Sequence, residues 1–154
     1  MKQKIEEIVK NNVRTVCETH RLKTGDDYWN HIQSVVRLSA QLSTKFNADN
    51  EIVVLGAYLH DISVPSEYGD FDDHHIYSTE LAEKMLKRLE YPTPRIEHVK
   101  KCVLHHRGSK FMLKGTVEEE CVADADTTYF PEQGKQKPLA EQGVQGKKQI
   151  QMYG

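Results

Sequence analysis

The chain has 154 residues, a length that suits one ordinary domain with its own hydrophobic core. Its formal net charge of −2 gives no electrostatic reason to expect nucleic acid or an anionic membrane surface as a partner. The first residues are charged, and no run of about 18 apolar residues occurs, so we expect neither secretion nor membrane insertion.

Amphipathic helices are predicted for the first third of the chain. Apolar residues recur at helical spacing between residues 2 and about 20, and Gly25 marks a break after them. Either Asp26 or Asp27 can cap a second helix, which we expect to run to about Lys45. Each helix carries one apolar stripe, so each would cover one face of a core.

The third helix is the most apolar. Asp49 is a suitable N-cap for it, and every position of residues 52–59 except Gly56 is apolar. A helix that is apolar on all sides belongs at the centre of a domain. It ends at His60-Asp61, two adjacent residues that are good metal ligands. Burying both is costly unless a positive charge holds them.

A loop and a fourth helix follow the His-Asp pair. The loop covers residues 62–73 and contains several acids. The fourth helix begins at His74-His75 and places its apolar residues on one face. We expect it to continue to Tyr91 and stop before Pro92, because the residue before a proline is pushed out of the helical region.

Two more helices complete the predicted elements. The fifth has Thr93 as its N-cap, followed by a proline at its first position, and ends at His105-His106. The T-x-x-E sequence of residues 116–119 is typical of a capping box and predicts the start of a sixth helix.

No strand-like alternation of useful length and no internal repeat occur in the sequence. We therefore predict an all-α fold, a single-domain bundle of about six helices over residues 1–130. Residues 131–154 are rich in Gln and Gly and have too few apolar residues to define a face, so their composition indicates a C-terminal tail. The tail could pack on the domain or on a second copy of the chain in a homodimer, and the sequence leaves both open.

The cysteines indicate a cellular compartment and not a metal site. Cys17, Cys102 and Cys121 are odd in number and lack CxxC spacing. They favour buried free thiols in a reducing environment over a disulfide or zinc framework. We therefore expect a cytoplasmic protein.

Two further positions could join His60 and Asp61 at a metal site. His31 lies at the edge of the apolar stripe of the second helix, where a structural, hydrogen-bonded histidine is the common alternative. Asp124 and Asp126 lie in an apolar run of the last helix, where an unpaired carboxylate would be expensive to bury. Two imidazoles and two carboxylates suit Fe, Mn, Co, Ni, Zn or Mg, with positions left for water and substrate oxygens.

The order of His31, then His60-Asp61, then a late Asp in an Ala-Asp setting resembles the H…HD…D pattern of the HD-domain metal-dependent phosphohydrolases. The resemblance covers most of the chain. It implies an HD-like helical fold and these metal ligands: His31, His60, Asp61 and Asp126, with Asp124 as the alternative to Asp126. It also implies hydrolysis of a small phosphorylated molecule, with a nucleotide as the leading class, by a metal-activated water that Asp61 helps to orient.

Two histidine pairs extend the resemblance. His74 has the family's spacing ahead of a small residue, and His105-His106 matches the His or His-His near the end of the fifth helix. Such positions hold a second metal in dinuclear members and contact the scissile phosphate in mononuclear ones. Helical phase favours His106 as the inward residue, and Arg107 either neutralises phosphoryl charge or lies in a solvated basic loop. We expect one metal ion, with two as the alternative, and catalytic roles for Asp61, His74, His106 and Arg107.

A second class of function is left open by the sequence. A non-catalytic HD-like module that binds a metal, a nucleotide or a partner would use the same residues. Phosphate release in the presence of Mn, Co, Ni or Mg separates the two classes, because metal bound without turnover of any phosphoester would favour the module.

Overall fold

The computed structural model of the chain describes residues 2–107 and 115–128, and these ranges contain six α-helices, one 3₁₀ turn and no β-strand. The helices are α1 (Lys2–Thr24), α2 (Tyr28–Lys45), α3 (Asn50–Leu59), α4 (His74–Arg88), α5 (Thr93–Leu104) and α6 (Val117–Thr128). The 3₁₀ turn Phe71–Asp73 leads directly into α4. The predicted all-α fold is confirmed. Within the described ranges, no helix has the length and apolar character needed to cross a bilayer.

The central element is α3, which packs against α1, α2, α4, α5 and α6. Every residue from Glu51 to Leu59 is buried, as expected for a helix that is apolar on all sides. Gly56 allows α5 to approach closely, because a Cβ at this position would lie 2.8 Å from the Cβ of Cys102. A helix surrounded in this way delivers the residues that follow it into the interior.

The predicted caps fix where three helices begin. Asp27 and Asp49 each accept a hydrogen bond from the backbone N–H three residues later, at 3.1 and 3.3 Å. At α6, Thr116 Oγ1 accepts from the N–H of Glu119 at 3.2 Å, which is half of a capping box. The Glu119 carboxylate reaches the N–H of Gly115 at 2.7 Å instead of that of Thr116.

Two predicted boundaries between α4 and α5 are wrong. The fourth helix ends at Arg88, three residues before the predicted end, because Glu90 adopts a positive φ of 61° that the helix cannot contain. The fifth helix has Pro92 as its N-cap and no side-chain capping bond, so Thr93 is the first helical residue and not the cap. Neither shift moves the histidine that begins α4.

The three cysteines are buried and free, as predicted. Burial, with a smaller contribution from Asp27, raises the pKa of the Cys17 thiol to about 12. Residues 131–154 lie outside the described residues, so the domain boundary near residue 130, the tail and the homodimer stay predictions, as does the cytoplasmic location.

Candidate metal centre

The four side chains predicted as metal ligands lie together in one buried cluster. His31 comes from the first turns of α2, His60 and Asp61 directly follow α3, and Asp126 comes from the last turn of α6. One potential ligand atom of each residue lies within 4.8 Å of those of the others. Their side chains are between 0 and 12% exposed, so water reaches the cluster only at its edge.

Two carboxylate oxygens and two imidazole nitrogens converge in this cluster. Asp126 Oδ1 lies 3.1 Å from His60 Nε2 and 3.3 Å from His31 Nε2. Asp61 Oδ2 lies 3.3 Å from His60 Nε2 and 3.5 Å from His31 Nε2. The four atoms therefore surround one small volume in which a single cation would contact all of them.

The electrostatics of the cluster favour positive charge. Burial alone would lower the pKa of His31, yet the carboxylates of Asp126 and Asp61 raise it to about 9. The pKa of His60 is raised in the same way, against its complete burial. Burial would also raise the pKa values of Asp61 and Asp126, but the charge of His60 and the neighbouring imidazoles hold both well below their usual range. Protons and divalent cations would compete for this site.

A second group of donors shares Asp61. Its other oxygen, Oδ1, lies 3.0 Å from His74 Nε2 and 3.3 Å from His106 Nε2. These three ligand atoms also lie within 4.8 Å of one another. His74 is the first residue of α4, and His106 lies two residues beyond the end of α5. Each carboxylate oxygen of Asp61 thus faces a different donor group.

In three of the imidazoles, a hydrogen bond decides which ring nitrogen is available to a metal ion. Nδ1 of His60, His74 and His106 lies 2.6, 2.9 and 2.6 Å from the backbone carbonyl oxygen three residues earlier. Because a carbonyl oxygen can only accept, each Nδ1 carries the hydrogen and each neutral ring presents the lone pair of Nε2 to the centre. Such bonds are the usual outer support of metal-binding histidines. Burial also lowers the pKa of His106 despite the nearby Asp61, which favours its neutral form.

The second group is unsatisfied without a cation. Nε2 of His74 and Nε2 of His106 lie only 3.2 Å apart, where two lone pairs repel unless a positive charge lies between them. Asp61 Oδ1 is buried and makes no well-aligned hydrogen bond, although both nitrogens are close. Nitrogen and carboxylate donors in this arrangement fit a divalent metal ion. The residues therefore fit one ion in each group, with Asp61 between them.

The structure separates the two pairs of alternatives that the sequence left open. His106 points into the centre, whereas Nδ1 of His105 lies 3.2 Å from Oε1 of Glu119, a carboxylate that is 1% exposed. Asp126 contacts the imidazoles, whereas Asp124 lines a shallow groove on another face of α6. His106 and Asp126 are thus the members of each pair that the fold places at the centre.

Arg107 lies beside the second donor group. It donates a hydrogen bond to the carbonyl oxygen of Asp72, and its Nη1 lies 3.4 Å from Nδ1 of His75. Its guanidinium is therefore anchored to the 3₁₀ turn and the first turn of α4. This places a positive charge at the edge of the centre near His74.

Two residues that contact predicted ligands do not stand out in the sequence. Glu119 holds His105, but its spacing from Thr116 indicates only a capping role. The ring of Phe71 stacks on His74 with 4.8 Å between centroids and 22° between planes. The one sequence signal for Phe71 is its position three residues before a predicted ligand, which is too common to be specific.

Comparison with known proteins agrees with this arrangement. The family model of the HD domain matches residues 28–129, more than half of the chain. The chain belongs to the HD domain family. The HD domain thus contains both donor groups, and α1 precedes it. Proteins of the HD superfamily are typically metal-dependent hydrolases.

A solved structure has a similar fold. It is the crystal structure of a predicted HD superfamily hydrolase from an uncultured Thermotogales bacterium, with a TM-score of 0.64 and 23% sequence identity. The similarity covers 78% of this chain and 65% of that one, so this HD domain chain spans just under two thirds of its neighbour. At this identity the likeness shows the fold alone. No significant match was found among the curated proteins.

Proposed function

We propose that this HD domain is a metal-dependent phosphohydrolase that acts on a small phosphorylated molecule, with a nucleotide as the leading substrate class. The observation that carries the proposal is the pair of buried donor groups that share Asp61. Two divalent cations beside two carboxylates would leave a surplus of positive charge, which complements a phosphate dianion. Bound there, such cations would lower the pKa of a coordinated water and polarise a phosphoryl oxygen.

The proposed ligands divide into two sets. The first consists of His31, His60, Asp61 and Asp126, and the second of Asp61, His74 and His106. Imidazole nitrogens suit Fe, Mn, Co, Ni or Zn better than Mg, which prefers oxygen ligands. We therefore propose transition metals as the resident ions, with two ions where the sequence alone favoured one.

Two residues would act on the substrate and the attacking water. Asp61 would orient the water by accepting a hydrogen bond from it, since both carboxylate oxygens face the centre. Arg107 would neutralise charge that develops on the phosphoryl oxygens. Its bond to the carbonyl of Asp72 would hold the guanidinium ready at this edge.

Metal analysis combined with a phosphate-release assay tests the proposal. The purified protein should contain one to two equivalents of a divalent transition metal. It should release phosphate from a nucleotide or a simple phosphomonoester with Mn, Co, Ni or Mg present. Asp126→Asn should abolish release, whereas the matched variant Asp124→Asn, altered two residues away on the same helix, should retain it.

Other outcomes of the same experiment would favour other functions. Metal bound without turnover of any phosphoester would favour a non-catalytic module of the same family. A protein that binds no divalent metal, and whose melting temperature does not respond to a chelator, would contradict both the hydrolase and a module that binds metal.

A further inference from the structure

Phe71 is an exposed apolar side chain that contacts the proposed metal centre. Its ring is 49% exposed, although one face stacks on the imidazole of His74. Of the large apolar side chains exposed in the described ranges, Phe71 is the one stacked on a proposed ligand. The exposed area must therefore lie on the other face and the edges of the ring.

The turn that carries Phe71 is held in place on two sides. Its carbonyl oxygen accepts a hydrogen bond from His74 Nδ1 at 2.9 Å. Arg107, from the segment after α5, donates to the carbonyl oxygen of Asp72. A ring that is already fixed loses little conformational entropy when another group packs on it, which is the general advantage of a preorganised binding surface.

Phe71 lies at one of the two partly exposed edges of the centre. The side chains of Asp126 and His31 are 12 and 9% exposed and those of His74 and Asp61 are 7 and 6% exposed, whereas those of His60 and His106 are 0% exposed. Solvent therefore reaches the centre at two edges, one at Asp126 and His31 and the other at His74, where Phe71 lies. A phosphoryl group held at Asp61 between His74 and His106 would have its ester substituent at the His74 edge, beside the ring of Phe71.

The charges around the ring of Phe71 restrict which chemical groups could pack on its exposed face. Asp70 and Asp72 are exposed on either side of Phe71, and Asp73 is partly exposed. These three carboxylates outnumber the one guanidinium bonded to the turn, that of Arg107, and so disfavour a further anionic group beside the ring. An uncharged planar ring meets no such penalty and gains stacking contact with the aromatic face.

We propose that Phe71 is a stacking platform for a nucleobase in the leaving group of the substrate. The substrate assignment rests on the proposed phosphohydrolase function, and it narrows the substrate to a phosphomonoester whose leaving group carries a planar ring, such as a nucleoside monophosphate. Phe71 is in this account a specificity-determining residue, because it contacts the part of the substrate that does not react.

A ratio of specificity constants tests the platform. The measurement compares kcat/KM for adenosine monophosphate with kcat/KM for glycerol phosphate, which lacks a ring. In Phe71→Ala this ratio should fall about tenfold or more, through KM, since one base–aromatic stack is worth at least about that factor. Phe71→Trp should retain the ratio. The matched control is Tyr68→Ala, because Tyr68 is 37% exposed in the same loop but packs edge-on against Tyr77.

A binding measurement separates failure of the platform from failure of the proposed function. The dissociation constant of adenosine monophosphate for the metal-loaded protein should rise about tenfold in Phe71→Ala. Equal losses on both esters with unchanged nucleotide affinity would mean that Phe71 only positions His74, and would overturn the proposal. A wild-type protein that binds the nucleotide through Phe71 but hydrolyses no phosphoester would support the platform and contradict the hydrolase. A wild-type protein with no affinity for the nucleotide would overturn the platform.

Discussion

Buried ionisable side chains lie at both ends of α3, but the two ends satisfy them differently. At the N-terminal end, Glu51 is 5% exposed, and its Oε1 accepts hydrogen bonds from Tyr91 at 2.5 Å and from Arg95 at 3.0 Å. Arg95 also reaches both oxygens of Asp49, at 3.1 and 3.2 Å. The chain itself supplies the cation that this end needs.

At the C-terminal end no Lys or Arg lies among the clustered donors, and the carboxylates face imidazoles, which are cationic only when they bind a proton. His60 and Asp61 meet four further potential ligands, and the Nε2 atoms of His74 and His106 face each other at 3.2 Å. A buried carboxylate without a counter-charge is costly, so the positive charge has to come from solution, either as protons on the imidazoles or as metal ions. We therefore interpret the N-terminal cluster as part of the scaffold and the C-terminal cluster as the proposed metal site.

The largest expected effect is that of Asp61→Asn. Asp61 faces both donor groups, so its loss should lower kcat/KM more than about 100-fold, beyond what is usual for residues that only support a ligand. Metal content should fall with activity, while the helical circular dichroism should be unchanged. A variant that keeps both metal and turnover would remove the distinction between the two ends of α3.

Replacing His106 tests whether the second donor group holds a metal ion of its own. His106→Gln should remove about one equivalent of metal and leave the first donor group loaded, because His31, His60 and Asp126 are untouched. The matched variant is His105→Gln, since His105 bonds to Glu119 instead of the centre and should retain the metal content. Inductively coupled plasma analysis gives the metal content of each variant. Identical metal contents in the two variants would argue against a second ion.

At the N-terminal end of α3 we expect a substitution to lower stability and to leave metal binding unchanged. Arg95→Met should lower the free energy of unfolding by about 1–2 kcal/mol, because Glu51 stays buried without its cation. The effect is below that of a fully buried pair, since Arg95 is 34% exposed. Urea titration gives the change, and metal equivalents should equal those of the wild type. Loss of metal in this variant would mean that the two ends are coupled.

The smallest effect is that of Tyr91→Phe. This change removes one hydrogen bond to Glu51 and leaves that of Arg95 in place, so unfolding should become easier by about 1 kcal/mol. Chelator should lower the melting temperature of this variant by as much as it lowers that of the wild type. A smaller chelator effect would indicate that the scaffold cluster contributes to metal binding.

Much of the fold could be predicted because its signals are local. The uniform apolarity of α3 indicates a central helix. Asp27 and Asp49 cap the starts of their helices by accepting hydrogen bonds from backbone N–H groups only three residues later. The order of His31, His60 and the later aspartates carries the family resemblance. The caps and the apolar run depend on neighbours along the chain, and the order of the ligands can be read from the sequence directly. A single sequence therefore contains all of them.

The remaining details depend on contacts between distant segments. His105 turns away because a buried carboxylate of α6, Glu119, holds it. The early end of α4 depends on the positive φ of Glu90, which is an unusual conformation for that residue. The stacking of Phe71 on His74 requires the 3₁₀ turn, which has no clear sequence signature.

Anomalous diffraction from crystals grown with manganese or cobalt tests the central claim most directly. The account predicts two peaks on either side of Asp61, one in contact with His31, His60 and Asp126 and the other in contact with His74 and His106. A structure with no ion at Asp61, or with the imidazoles of His31 and His60 turned away from each other, would contradict it.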